Sequence, residues 1–174
     1  VPADATDVYR HTFPRMAAKT KQFYERYPID IERAATVADI LQSRKVTLPN
    51  GDPLTVERFQ CLGSDFGMKP SFERVHWILD QAFLDGDGSA STSTELSDEF
   101  LSSVMDATSS RPLYWPLQEF IYANGELETP IRWAAQRVRC EHPEFAGGIR
   151  PLNFTGEAMF PWMFEQERAL RPFK

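Results

Sequence analysis

Two glutamates in this chain stand where a carboxylate is expensive. Glu157 lies in Phe154-Thr155-Gly156-Glu157-Ala158-Met159-Phe160-Pro161-Trp162-Met163-Phe164, between a Thr-Gly turn and a dense aromatic and thioether patch. Glu119 lies in Trp115-Pro116-Leu117-Gln118-Glu119-Phe120-Ile121-Tyr122. A carboxylate taken out of water costs several kcal/mol unless something pairs with it. Neither segment carries a Lys or Arg. Two acids brought together need a cation, and a ligand is one source of it. A single acid of this kind reads as a capped or partly exposed group. Two of them keep a shared binding role open beside that reading.

Nothing in the chain looks equipped for covalent chemistry. No serine has the flanking glycines of a nucleophile elbow, and no Ser-His-Asp set can be assembled from the spacing. His11, His76 and His142 share no metal-ligand spacing. His76, beside Trp77 on an apolar helix face, reads as a core histidine with a satisfied hydrogen bond. Cys61 in Gln60-Cys61-Leu62-Gly63 also reads as core. Cys61 and Cys140 lack C-x-x-C spacing, so two free thiols in a reducing cytoplasm is the simplest expectation. Asp85-Gly86-Asp87-Gly88-Ser89 has the look of a calcium loop. An EF-hand needs Gly at position 6 and Glu at position 12, where this chain has Ala90 and Leu96. No metal and no cofactor are expected. Gly63-Ser64-Asp65-Phe66-Gly67-Met68 is a glycine-bracketed turn, but a helix precedes it and Asp65 would repel a phosphate.

These groups must be held by a scaffold of 174 residues, 42% hydrophobic and 13% aromatic, which suits one domain with a sizeable core. The net charge of -6 argues against a nucleic-acid partner. No apolar run is long enough for a membrane span, and no signal peptide is visible. The chain opens at Val1 without Met, so a piece of a longer protein is expected.

The elements follow from periodicity. Tyr9, Phe13, Met16, Thr20, Phe23 and Tyr27 recur at spacings of four and three, predicting a helix over the first 27 residues. Pro14 predicts a kink or restart, and Pro28 an end. Asp30 is the expected cap of a second helix bearing Ile31, Ala34, Val37, Ala38 and Leu41. Asn50-Gly51 between short apolar stretches predicts a small hairpin. Thr55, Ser71 and Ser97 are expected caps of three further helices, with Gly63 stopping the first. The polar stretch from Asp85 to Thr94 predicts a mobile loop. A helix is expected from near Pro112 to Tyr122. Thr129-Pro130 predicts another, carrying Ile131, Trp133, Ala134 and Val138. The sum is an all-α domain of about seven helices with one hairpin-like excursion, spanning residues 1–174.

Several stretches resemble one family, the larger bacterial prolyl aminopeptidases (proline iminopeptidases) among the α/β-hydrolases. They include Phe23-Tyr24-Glu25-Arg26-Tyr27-Pro28, Leu48-Pro49-Asn50-Gly51-Asp52, Asp65-Phe66-Gly67-Met68, Phe72-Glu73-Arg74 with His76-Trp77, Trp133-Ala134-Ala135, and Phe154-Thr155-Gly156-Glu157 with Pro161-Trp162-Met163-Phe164-Glu165. The likeness covers most of the chain. It implies that this is the helical cap of such an enzyme, packed on a hydrolase core that holds the catalytic residues. It implies further that Glu119 and Glu157 bind the free amine of a peptide with N-terminal proline. Phe66, Tyr122, Phe160 and Trp162 would wall the prolyl ring. Two departures mark this chain: Gln118 where the family usually has His, and Ala158-Met159-Phe160 where it usually has Met-Ile-Tyr. Two alternatives stand beside this reading: a cap serving another α/β-hydrolase with an ester, amide or epoxide substrate, and a free-standing helical interaction module.

Overall fold

A computed structural model describes residues 3–68, 72–84, 95–122 and 129–174. The first helix, α1 (Ala5–Arg26), starts where the Asp4 carboxylate accepts from the Thr6 backbone N–H at 2.7 Å. Tyr9, Phe13, Met16, Thr20 and Phe23 form its buried face, as the spacing predicts. The helix runs unbroken through Pro14, with no restart. Pro14 lies on the exposed side, where water can satisfy the carbonyl that its missing N–H leaves free.

Helix α2 (Ile29–Ser43) corrects one expectation. Its N-cap is Pro28, with no side-chain capping bond. Asp30 is fully buried instead. Its carboxylate accepts from Arg33 at 3.0 Å and meets His76 Nδ1 at 2.8 Å. A buried carboxylate with a guanidinium and an imidazole beside it has no reason to turn back to the helix end. His76 is thereby satisfied, and it stacks on Tyr27 with ring centroids 4.0 Å apart.

Strands β1 (Val46–Thr47) and β2 (Pro53–Leu54) pair antiparallel, with Val46 opposite Leu54. Gly51 turns the chain at φ +86°, a conformation that disfavours side chains. Helix α3 (Val56–Gln60) is capped by Thr55, whose hydroxyl accepts from the Arg58 N–H at 3.3 Å, and a tighter 3-10 turn continues it over Cys61–Gly67. Helix α4 (Phe72–Asp80) follows, but its expected cap Ser71 lies outside the described residues, as does the Asp85–Thr94 stretch. Ser97 caps α5 (Asp98–Ser109), accepting from the Phe100 N–H at 3.0 Å.

After α6 (Tyr114–Gln118), a 3-10 turn covers Glu119–Ile121. Helix α7 (Ala134–Cys140) starts later than Thr129-Pro130 suggests. Arg132 and Trp133 both sit at φ 55°, in the left-handed region, so helical backbone cannot extend through them. The last helix is α8 (Pro161–Gln166). Among the described residues no helix is long and apolar enough to cross a membrane.

The core is aromatic. Phe23, Phe59, Phe66 and Phe154 are each at most 1% exposed and pack edge-on or tilted, with centroids 5.1–5.9 Å apart. Such pairs add to the stabilisation from burial. The chain crosses this core in an extended run at Leu152–Thr155, and α1 and α3 hold its backbone. Tyr24 donates to the Leu152 carbonyl at 2.7 Å, and Gln60 Nε2 to that of Asn153 at 2.8 Å. The Phe154 N–H donates to Thr20 Oγ1 at 3.2 Å, and the Thr155 N–H to the Gln60 carbonyl at 2.9 Å.

Gly63 makes this crossing possible. A Cβ there would lie 2.5 Å from the Thr155 carbonyl oxygen and 2.6 Å from Phe154 Cβ. Its role is close approach, not the helix stop that the sequence suggests. Gly63→Ala should cost about 1–3 kcal/mol, which for a chain of this size lowers the melting temperature by roughly 3–10 °C. A Cβ at Gly67 would meet nothing within 4 Å, which makes that position the control. Equal melting shifts for Gly63→Ala and Gly67→Ala would remove this role.

Candidate functional site

The crossing leads through the buried Gly156 to Glu157 at the surface. Gly156 passes so close to α1 that a Cβ would meet Met16 Sδ at 2.9 Å. Glu157 follows and is exposed. Its Oε2 lies 3.5 Å from Gln118 Nε2. The same Gln118 nitrogen lies 3.2 Å from the Tyr122 hydroxyl. Gln118 thus joins the two segments that carry the acids.

Glu119 is held differently. It is 4% exposed, and its Oε1 accepts from the Tyr9 hydroxyl at 2.8 Å. Tyr9 in turn packs edge-on against Tyr122, centroids 5.9 Å apart. Burial pushes the Glu119 carboxyl up, while the Tyr9 bond and the charge of Arg137 pull it back in part. Burial likewise raises Tyr122, and both Glu157 and Glu119 add to the rise. The two acids therefore act electrostatically on one tyrosine. Tyr114 is raised by burial and then by its hydrogen bond with Glu157.

Among the described residues, no Lys or Arg lies within 4.0 Å of either carboxylate. Two cavities meet at Glu157. One, of about 290 Å³, is lined by Thr12, Met16, Tyr122 and Gly156 with Glu157. The other, of about 200 Å³, has Arg111, Tyr114 and Trp115 with Glu157. Ser64 and Met68 border both.

The remaining expected site residues are placed unevenly. Tyr122 lines the larger of these two cavities while staying 7% exposed. Phe66 and Phe160 do not wall a ligand space. Each is 1% exposed, Phe66 inside the aromatic core and Phe160 under Trp162 at 6.1 Å. The aromatic rings that the resemblance suggests as a prolyl wall are here part of the core packing. Trp162 is half-buried, and its Nε1 is buried without a hydrogen-bond partner. Tyr9, Tyr114 and Gln118 were not expected in the site. Tyr9 hides among the core positions of α1, and its hydroxyl is the only sign of another task.

Tyr9→Phe keeps the ring and removes the donor to Glu119. A buried carboxylate left without its partner costs about 1–3 kcal/mol or more. The expected result is a lower melting temperature at neutral pH and a smaller loss at acid pH, where Glu119 is protonated. Losses independent of pH would point to ring packing alone.

Other reactive groups serve the core. Cys61 is buried, its thiol pushed up to about 12 by burial, and Thr155 Oγ1 lies 3.7 Å from its sulfur. Cys61 and Cys140 are both free. Among the described residues, no group of three or more His, Cys, Asp and Glu is placed to hold a metal ion.

The fold and site define an all-α unit in which a buried acid, bonded to Tyr9, and an exposed acid lie on either side of Gln118 and Tyr122. The chain is a segment related to the proline iminopeptidases. It is 39% identical over 173 residues to a proline iminopeptidase of Aeromonas sobria, covering 98% of this chain and 38% of that protein. It is 30% identical over 164 residues to a proline iminopeptidase of Aspergillus aculeatus, covering 93% of this chain and 35% of that protein. The chain thus spans little more than a third of the length of these curated relatives. No protein-family model matches it.

Proposed function

We propose that this chain is the substrate-recognition cap of a prolyl aminopeptidase. In this reading the rest of the parent chain is an α/β-hydrolase core that carries the nucleophile. The cap binds the amino end of a peptide with N-terminal proline and does no chemistry alone. The observation that carries the reading is the arrangement around Gln118 and Tyr122: two acids, one buried and one exposed, with no Lys or Arg ion-paired to either among the described residues. An N-terminal proline is a charged secondary amine on an apolar ring. Carboxylates hold an ammonium by charge-assisted hydrogen bonds, and Tyr122, which lines the cavity beside Glu157, offers the ring an apolar surface. An internal proline brings no cation and leaves the acids unpaired, which disfavours it strongly.

The outer side of α6 supports the partner in this reading. Leu113, Leu117, Phe120 and Ile121 are 52–69% exposed. An apolar patch of this kind marks an interaction surface, and the remainder of the parent chain would cover it. The reading includes a reducing, cytoplasmic setting for the free thiols. The test is hydrolysis by the full-length protein. Release of proline from Pro-Xaa amides, with no cleavage of N-acetylated counterparts, is the expected result. Cleavage of esters or epoxides with no activity on prolyl amides would refute it.

A further inference from the structure

The 200 Å³ cavity carries an acid and a base that the proposed clamp does not both use. Glu157 faces it, and so does Arg111. Arg111 follows α5, is exposed, and lies within 4.0 Å of no carboxylate among the described residues. Its charge is felt by Asp65, whose carboxyl burial pushes up while Arg74 and then Arg111 pull it down. Asp65 and Arg74 also line the cavity, and they offset each other across 3.3 Å. That contact is an ion pair without hydrogen-bond alignment, since Asp65 Oδ2 has no hydrogen-bond partner. Asp106 lines the cavity too, but it is shared with the adjoining cavity of about 590 Å³ towards Trp77. With Asp65 and Arg74 paired to each other, the charged groups left lining the space are Arg111, Glu157 and, at the border with the adjoining cavity, Asp106.

We infer that this cavity is a zwitterion site, with Arg111 as a specificity residue for a free carboxylate on a ligand whose amine is held at Glu157. The inference rests on the proposed role of Glu157 and adds the other end of the ligand. At about 200 Å³ the space is well above the ~10–15 Å³ that a single water needs, so it admits a small organic ligand. A fully extended residue spans about 3.3–3.6 Å, so a dipeptide separates its two charged ends by about two such steps. The guanidinium fork suits a carboxylate in a bidentate manner. Two sources have this chemistry: a Pro-Xaa dipeptide as substrate, and free proline as released product. A longer peptide lacks a carboxylate at this reach.

The test uses the full-length protein, with kcat/KM for Pro-Gly compared with Pro-Gly amide. The free carboxylate should be preferred by about fivefold to tenfold. Arg111→Gln should erase that preference, bringing the ratio of kcat/KM for Pro-Gly and its amide to about one, and Arg111→Lys should retain part of it. Inhibition by proline compared with prolinamide separates the sources. Tighter inhibition by proline, lost in Arg111→Gln, assigns the site to product as well. A preference confined to the dipeptide assigns it to substrate. Equal rates for Pro-Gly and its amide, or a preference that survives Arg111→Gln, would overturn the inference. If Glu157→Gln still impairs prolyl amide hydrolysis in that case, the proposed function stands without it. No cleavage of either compound removes both.

Discussion

Glu157→Gln in the full-length parent protein should lower kcat/KM for substrates with N-terminal proline by about 10²-fold or more, the loss expected when one member of a desolvated charge pair is removed. Gln keeps the shape and one acceptor but not the charge. Glu157 is exposed in this chain, so the substitution spares the core. Its Gln118 contact is long, at 3.5 Å, and contributes little to stability. The effect should therefore fall on catalysis and not on melting temperature. Because the amine anchor also sets where the scissile carbonyl lies, kcat should fall along with a rise in KM. Glu119→Gln is the informative partner. Glu119 is buried and bonded to Tyr9, so its loss should lower both activity and stability. Unchanged kinetics on Glu157→Gln, with an intact fold, would remove the amine clamp.

Much of this site was legible, for a physical reason. An acid set among aromatics in the sequence stands out because burial there would be costly; the structure buries Glu119 and leaves Glu157 exposed, so the cost falls on Glu119 alone. Helix faces were legible too, because the spacing of Tyr9, Phe13, Met16 and Thr20 maps directly onto the buried side of α1. What could not be read were choices made by tertiary partners. Asp30 has the chemistry of a cap, but Arg33 and His76 hold its carboxylate more strongly than the helix end could. Phe66 and Phe160 share the residue type of a ligand wall, and only burial separates a wall from a core. Gly63 has the sequence of a helix stop, yet its task is to let a carbonyl from residue 155 pass. Arg111 has no local signature, since its cavity is formed by segments from α5, α6 and the Glu157 loop.

Arg58 is the extreme case, and its loss should have the largest effect on stability. In Val56-Glu57-Arg58-Phe59 it looks like an ordinary surface cation, yet it is fully buried. Its guanidinium donates to Thr108 Oγ1 at 3.1 Å and Ser109 Oγ at 2.5 Å, and it pairs with Asp52 at 3.5 Å and Glu167 at 4.0 Å. One side chain thus ties α3 to the hairpin, the end of α5 and the segment after α8. Arg58→Met keeps volume but leaves buried acids unpaired, which costs about 3–5 kcal/mol, or roughly 10 °C in melting temperature for this chain length. The cost must depend on pH. Burial pushes Glu167 up to about 7, against a pull from Arg58 and a further push from Asp52. A carboxyl whose folded pKa is raised favours the folded state most below its unfolded value. Stability is then lost as pH rises through about 7. Removing Arg58 takes away the pull, so the folded protein holds that proton more tightly still. The penalty of Arg58→Met should be largest near pH 8 and smaller near pH 5, where Glu167 is already neutral. Melting curves at both pH values decide the matter, with Arg58→Lys as the variant that keeps the charge but not the fork. An identical loss at both would assign the effect to packing. Thr108 also lines the 200 Å³ cavity. A loosened Arg58 network should therefore reach Arg111 and Glu157 before the fold is lost, weakening Pro-Gly hydrolysis at temperatures where the chain remains helical.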